Sequence, residues 1–167
     1  MKKIEYLILF MVGILLVFPS CNHKNEQLYQ KLPIVKEYEP EYYIFDRDEI
    51  SKEELNEMPN LKLVINNEDE FPQDNLMGLD EIKESKIDFQ KYTLLLVYYK
   101  LPGVILDCKC DCIKDFENNI IFYSINFHLD QDTLKNPEIS NLFTYYRSAI
   151  LVSKLQEDTE VEFRLSY

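Results

Sequence analysis

The strongest hydrophobic pattern in this chain is the run YTLLLVYY at residues 92–99, in which both alternating sets of positions are apolar. A strand with two apolar faces is typical of the centre of a sheet that is covered on both sides. The C-terminal stretch 159–167 instead alternates apolar residues with charged or polar ones, which predicts a strand with one wet face. Other β-type stretches lie at 42–45, 61–65, 104–113, 120–129 and 142–155.

Two polar links predict that neighbouring strands pair as hairpins. The loop KDFENN at 114–119 joins the strands 104–113 and 120–129. The shorter link QED at 156–158 joins the last two β-type stretches. Loops of two to five residues commonly connect antiparallel neighbours, and slightly longer loops also do so. The sequence therefore predicts a mostly antiparallel sheet that ends in a hairpin.

One segment, ISKEELNEMP at 50–59, has the sequence signature of a short helix. Ser51 and Glu54 have the spacing of a capping box, and Ile50 and Leu55 have the spacing of a hydrophobic staple. Pro59 ends the helix, because proline cannot continue it. The predicted fold class is therefore α+β and β-rich, an antiparallel sheet or sandwich with one short helix near 51–58. A further turn of helix is predicted near 80–83.

The N-terminus has the pattern of an export signal. Two lysines precede an apolar stretch at 7–18, and Pro19 and Ser20 then lead to Cys21. As a helix this stretch would rise about 18 Å, well short of the roughly 30 Å hydrocarbon core of a bilayer, which favours a signal peptide. The segment VFPSC at 17–21 resembles the lipobox of bacterial lipoproteins.

The lipobox resemblance implies a signal peptide at 1–20, cleavage before Cys21, and acylation of Cys21, palmitate included, that anchors the protein in a lipid bilayer. Residues 21–40 are polar and contain two prolines, so they are predicted to be a tether, with one β-rich domain at 41–167. The residues after the cysteine, CNHKNE, resemble the sorting pattern of lipoproteins on the periplasmic face of the outer membrane. A bacterial cell-envelope location is therefore expected.

Charge excludes one class of partner. Removing residues 1–20, which carry Lys2, Lys3 and Glu5, leaves 16 basic and 29 acidic residues and a net charge of −13. Because a chain with this negative charge repels phosphate backbones, no nucleic-acid partner is expected. A mature chain of 147 residues, 21–167, is long enough for one domain that folds without disulfides.

Three of the four cysteines occupy alternate positions in LDCKCDC, residues 106–112. Alternate residues of a strand share one face, so Cys108, Cys110 and Cys112 are predicted on the apolar face of strand 104–113. There they act either as core thiols, since a free cysteine behaves as a small hydrophobe, or as partners in an internal disulfide, which an exported protein can form.

A zinc site with these cysteines would need His128, because the other histidine lies in the predicted tether. His128 shares a strand face with Ser124 and Asn126 rather than with the apolar residues of strand 120–129. In a hairpin with strand 104–113 it points away from the cysteines. No metal ligand and no cofactor is therefore predicted.

Tyrosine is abundant, with twelve in the chain and adjacent pairs at 42–43, 98–99 and 145–146. Neighbouring residues of a strand face opposite sides. Tyr98, Tyr99, Tyr145 and Tyr146 are therefore candidates for an aromatic surface that binds a glycan or peptide. Core packing is the alternative.

No catalytic residue is predicted. The chain has two histidines and three glycines, which suggests neither a Ser–His–Asp arrangement nor a glycine-rich phosphate loop. The stretch IDFQKYTLLLVYYKLPGV at 87–104 resembles small β-rich lipoproteins of Bacteroidota and, more faintly, the C-terminal domain of protease-complex-associated PrcB-type proteins. The expected function is a non-catalytic envelope module that binds a protein or glycan, or supports an assembly. The alternative is a small periplasmic hydrolase or a protease inhibitor.

Overall fold

The computed structural model describes residues 28–73, 76–136 and 141–167. The predicted signal peptide, Cys21 and the first part of the predicted tether lie outside the described residues. Within these ranges, no helix combines the length and the apolar character that crossing a bilayer requires.

The described chain contains eight strands and three short α-helices. The strands are β1 (Tyr29–Lys31), β2 (Ile34–Asp46), β3 (Leu61–Ile65), β4 (Tyr92–Pro102), β5 (Ile105–Asp115), β6 (Ile120–Leu129), β7 (Leu142–Ser153) and β8 (Glu160–Ser166). The helices are α1 (Lys52–Asn56), α2 (Leu79–Glu84) and α3 (Gln131–Lys135), and a 3₁₀ turn spans Glu68–Glu70. The predicted β-rich α+β class is confirmed.

The strands form two four-stranded sheets. Sheet A has the order β1-β5-β6-β8, and sheet B has the order β2-β7-β4-β3. The β5–β6 hairpin forms as predicted, with Cys108 opposite Phe127 and Cys112 opposite Tyr123. All other pairs are antiparallel except β6–β8, which is parallel.

Two apolar cores lie on the two faces of sheet B. The first is packed between the sheets and joins residues of β4 and β7 to those of β5 and β6, among them Val97, Tyr146, Cys112 and Ile125. The second lies on the outer face of sheet B, beneath α1, α2 and their loops. Because β4 and β7 are covered on both sides, most residues of β4, residues 93–98 among them, and nearly all residues of β7 are buried, which confirms the prediction for 92–99.

Helix α1 begins as the sequence predicts. The Ser51 Oγ accepts a hydrogen bond from the backbone N–H of Glu54 at 3.1 Å. The Glu54 carboxylate in turn accepts one from the backbone N–H of Ser51 at 2.9 Å. These two bonds satisfy amide donors that a helix N-terminus otherwise leaves without partners.

The predicted hairpin between the last two strands is wrong. Strand β7 lies in sheet B, whereas β8 lies at the edge of sheet A and runs parallel to β6, with Phe163 opposite Tyr123. The link over 154–159 therefore crosses from one sheet to the other. The physical reason is burial: β7 is mostly apolar and is buried on both faces at a central position, while β8 has one solvent-exposed face and suits an edge.

The structured domain starts earlier than residue 41. Residues 29–31 form β1, and β2 begins at Ile34, so the second half of the predicted tether is part of the sheets. The register of β2 slips between Tyr38 and Glu41, where Pro40 lies. Such a bulge breaks the two-residue period from which a strand would be recognised in the sequence.

Candidate functional site

The three domain cysteines lie where the sequence places them. Cys108, Cys110 and Cys112 face sheet B from strand β5, and all three are free thiols. Cys112 is buried, while Cys108 and Cys110 are half-buried. The neighbouring edge strand β1 pairs only with residues 113–115 of β5. The part of β5 that carries Cys108 and Cys110 therefore lies at an open side of the sandwich.

Polar groups from two other strands meet these thiols between the sheets. The Cys108 sulfur lies 3.3 Å from the Tyr146 hydroxyl. The Cys110 sulfur lies 3.7 Å from the Ser148 hydroxyl and 3.8 Å from the Tyr123 hydroxyl. Tyr123 and Ser148 are themselves 2.6 Å apart. The cysteine face is thus a connected network of thiols and hydroxyls rather than a purely apolar strand face.

His128 is on the opposite side of β6 from this network. It is exposed, whereas its neighbours Phe127 and Leu129 are buried in the core between the sheets. The strand pairing therefore keeps the imidazole away from the three sulfur atoms. In the described part of the chain, no three His, Cys, Asp or Glu side chains are grouped so as to hold a metal ion.

The predicted aromatic surface is wrong for three of its four members. Tyr98 and Tyr146 are fully buried and Tyr145 is 3% exposed, because β4 and β7 occupy the middle of a sheet covered on both faces. Tyr99 is half-buried. The tyrosines that are exposed as a pair are Tyr42 and Tyr43, at 54% and 53%, on the edge strand β2.

A cleft of about 590 Å³ opens between β2, helix α1 and the segment 76–78. Its floor is aromatic and its walls are apolar. Tyr43 pairs with Tyr145 across the two strands, and the rings of Tyr43 and Phe45 lie 6.4 Å apart between centroids. The apolar walls come from Ile50, Met58, Leu76 and Met77.

The rim of this cleft is acidic. Asp46, Glu49, Glu54 and Glu57 line it, and no Lys or Arg of the described chain does. Glu54 is engaged in the capping box, and its hydrogen bonds from Ser51 lower the pKa of its carboxyl, which keeps it charged. The Glu49 and Glu57 residues hydrogen-bond only through their backbone N–H groups. Their carboxylates have no hydrogen-bond or ion-pair partner among the described residues, so they are available to a ligand.

A buried arginine fixes the back of the cleft. Arg147 is fully buried on β7, and its Nη2 lies 2.9 Å from a carboxylate oxygen of Glu41 and 2.9 Å from the carbonyl oxygen of Glu39. Its Nη1 donates to the carbonyl oxygen of Gly78 at 3.4 Å. These contacts tie strand β2 to the segment that forms the opposite wall.

Tyr145 contributes a second tie beneath the cleft. Its hydroxyl donates to the carbonyl oxygen of Pro59 at 3.1 Å, at the end of the loop that follows α1. Burial raises the pKa of Tyr145 to about 12, so the hydroxyl stays protonated and remains a donor at neutral pH. The Tyr145 ring is therefore held in place beneath the cleft.

Sequence reasoning missed this cleft because its parts are distant in the chain. Residues 43–58, 76–78 and Tyr145 come together only in the folded protein. One local signal was present: six acidic residues fall within DRDEISKEELNE at 46–57, directly after the tyrosine pair at 42–43. That combination of aromatic and acidic residues indicates a surface for cations.

Comparison with protein-family models, with curated proteins and with solved structures finds no match for this chain.

Proposed function

We propose that this protein is an exported bacterial lipoprotein that binds a basic segment of a partner protein in the cleft between β2 and α1. The observation that carries the proposal is an aromatic floor beneath a rim of carboxylates. The protein acts as a non-catalytic binding module of the cell envelope.

The size and lining of the cleft suit a lysine or arginine side chain. Binding pockets typically measure about 300–1,000 Å³ and combine apolar walls with a few polar groups, and this cleft has both properties. The methylene groups of a long basic side chain would pack against Ile50 and Met58. Its cationic end would lie between Glu49 or Glu57 and the face of Tyr43, where a cation–π contact adds to the charge attraction.

Charge favours a protein partner over a neutral glycan. Four carboxylates at the rim give the cleft a negative potential that attracts cationic groups and speeds their association. A neutral sugar would use the aromatic floor but gain little from the rim. The net charge of −12 for the whole chain acts in the same direction.

The anchor is the second part of the proposal. Cys21 becomes the lipid-bearing N-terminus, and the protein is held on the periplasmic face of the outer membrane. The support is the sequence alone: the lipobox-like VFPSC at 17–21 and the absence of an acidic residue directly after Cys21. Each CH₂ group of an acyl chain that is buried in the bilayer contributes about 0.8 kcal/mol to anchoring.

The binding experiment uses fluorescence anisotropy of a short labelled peptide of alternating lysine and alanine. The double variant Glu49→Gln, Glu57→Gln removes the two available charges and is expected to weaken binding about tenfold, roughly 1.4 kcal/mol. Tyr43→Ala removes the exposed ring of the aromatic floor and is expected to weaken binding as well. A peptide of alternating glutamate and alanine is expected not to bind.

The matched control is Glu117→Gln with Glu160→Gln. It makes the same change in net charge, but both residues are exposed on the sheet A side of the molecule. Equal weakening by the control and the cleft variant would refute the cleft as the binding site, because it would show that only net charge matters. Absence of peptide binding at low salt would refute the proposal altogether.

A further inference from the structure

Cys108 and Cys110 form the second chemically distinctive site of this chain. They are neighbours on one face of β5, they are half-buried rather than buried, and they lie at the open side of the sandwich. The cleft is on the other face of sheet B, so this site is independent of the proposed binding function.

We propose that Cys108 and Cys110 are a redox-active dithiol that reacts with disulfides, Cys108 as the attacking thiol and Cys110 as the resolving thiol. Reactive cysteines of this kind need partial exposure, stabilisation of the thiolate and a second thiol within reach. All three conditions are met by the arrangement around β5.

Stabilisation of a thiolate at Cys108 comes from donors that point at its sulfur. The Cys110 thiol and the Tyr146 hydroxyl, 3.3 Å away, hydrogen-bond to it and lower the pKa of Cys108 below the ordinary thiol value, against the opposing effects of burial and of the Asp107 and Glu37 carboxylates. The proton of the pair then remains on Cys110, and the hydrogen bond to Cys108 together with burial raises the pKa of that thiol.

Cys112 has a different environment although it lies on the same strand face. It is fully buried, and burial raises the pKa of its thiol to about 12. A protonated, enclosed thiol is a poor nucleophile. The three cysteines therefore divide into a reactive pair and one core residue.

The reaction balances as two thiol–disulfide exchanges. The Cys108 thiolate attacks one sulfur of a disulfide R–S–S–R, forms a mixed disulfide and releases the thiolate RS⁻, which takes a proton from solvent. Cys110 then loses its proton and attacks the Cys108 sulfur, which releases the second RS⁻. The second RS⁻ takes up the proton that Cys110 loses. The protein thus gives up two electrons and one proton, solvent supplies the other proton, and one disulfide becomes two thiols.

Strand geometry indicates that the product is readily reduced again. Residues at i and i+2 of an extended strand have Cα atoms about 6.6 Å apart. This is close to the upper limit of about 6.8 Å for a disulfide, so β5 must bend to close the bond. A strained, accessible disulfide is typically a reversible one.

The test uses the full chain with Cys21→Ser in mild detergent, and glutathione disulfide as the probe. Modification is followed by intact mass and by peptide mapping. The protein that retains both Cys108 and Cys110 is expected to end with an internal Cys108–Cys110 disulfide. The variant Cys110→Ser is instead expected to accumulate a stable adduct of one glutathione on Cys108. Cys108→Ser is expected to form neither product.

A pH profile separates a reactive site from mere exposure. The rate of iodoacetamide alkylation at Cys108 is expected to rise with pH, with a midpoint below the ordinary thiol pKa. The variant Tyr146→Phe is expected to move that midpoint to higher pH, because it removes a hydrogen bond to the thiolate. The matched control is Tyr145→Phe, whose hydroxyl lies on the other face of β7 and bonds Pro59. It is expected to leave the profile unchanged.

Three results would overturn the proposal. One is that Cys108 of the folded protein reacts no faster than Cys112. Another is a profile whose midpoint stays at the ordinary thiol value of 9.0. The last is a glutathione adduct on Cys108 that persists although Cys110 is present, since such an adduct would show that Cys110 is not a resolving thiol.

Discussion

Replacing Arg147 by methionine tests whether a buried ion pair holds β2 and the wall of the cleft together. Arg147 is fully buried, and its Nη2 lies 2.9 Å from the Glu41 carboxylate and 2.9 Å from the Glu39 carbonyl oxygen. Methionine keeps much of the aliphatic stem, so the change removes charge and hydrogen bonds with little loss of packing. It leaves the Glu41 carboxylate, whose side chain is 29% exposed, without its cation.

The expected loss of stability follows from these contacts. Hydrogen bonds to a charged group contribute about 1.5–3 kcal/mol each, and Arg147 makes two at short distance. Removal of one partner of a buried ion pair costs about 3–5 kcal/mol. We therefore expect the free energy of unfolding to fall by about 4 kcal/mol, a large part of the roughly 5–15 kcal/mol of a typical domain.

Urea denaturation followed by far-UV circular dichroism measures this loss. With a slope of about 2 kcal/mol per molar urea, the midpoint of Arg147→Met is expected to fall by about 2 M. The matched control is Arg164→Met, since Arg164 and Glu162 are also 2.9 Å apart but are both about half exposed. The control should leave the midpoint almost unchanged, because exposed ion pairs contribute little. A fall of less than about 0.5 M for Arg147→Met would show that the buried ion pair contributes little to stability.

Three further changes have definite expected outcomes. Ser51→Ala removes the acceptor of the α1 capping box and should lower the free energy of unfolding by about 1 kcal/mol, with Ser153→Ala at the exposed end of β7 as the control in the same urea titration. Gly78→Ala should lower the free energy of unfolding by at least about 1 kcal/mol, because Gly78 has φ +63° and an added Cβ would lie 2.6 Å from Glu41 Oε1. A urea midpoint equal to that of the wild type would show that the cleft wall at 76–78 can move to accept the methyl group. Cys21→Ser should abolish incorporation of labelled palmitate and release the protein from the membrane fraction of its bacterial host, and continued membrane labelling would exclude the proposed anchor.

Features that depend on neighbouring residues could be predicted from the sequence. The capping box of α1 involves only Ser51 and Glu54, and the position of the cysteines on one strand face follows from their alternate spacing. The central position of β4 was predictable because both of its faces are apolar. In each case the relevant contact or pattern lies within about ten residues.

Features that depend on the choice of partner strand could not be predicted. Strand β8 pairs with β6 rather than with β7, although β7 precedes it in the chain. Residues 34–40 became a strand because β7 offers them backbone partners, not because they alternate. Burial of Tyr145 depends on α1, α2 and their loops, which cover the outer face of sheet B, and the residues near Tyr145 in the chain do not show which segments form that layer.

The binding cleft is tested most directly by its own methionines. The chain has four methionines, and two of them precede Cys21, so a chain of residues 21–167 with Cys21→Ser retains only Met58 and Met77. Both line the cleft. Selective ¹³C-methyl labelling of methionine should therefore give two NMR signals, both reporting on this site.

Titration of the alternating lysine–alanine peptide into this labelled protein is the decisive measurement. Both methyl signals are expected to shift and to saturate with the affinity found by anisotropy, and Glu49→Gln with Glu57→Gln is expected to weaken the affinity about tenfold. The glutamate–alanine peptide should leave both signals in place. Peptide binding that moves neither methyl signal would contradict the account, because it would place the basic segment somewhere other than the cleft.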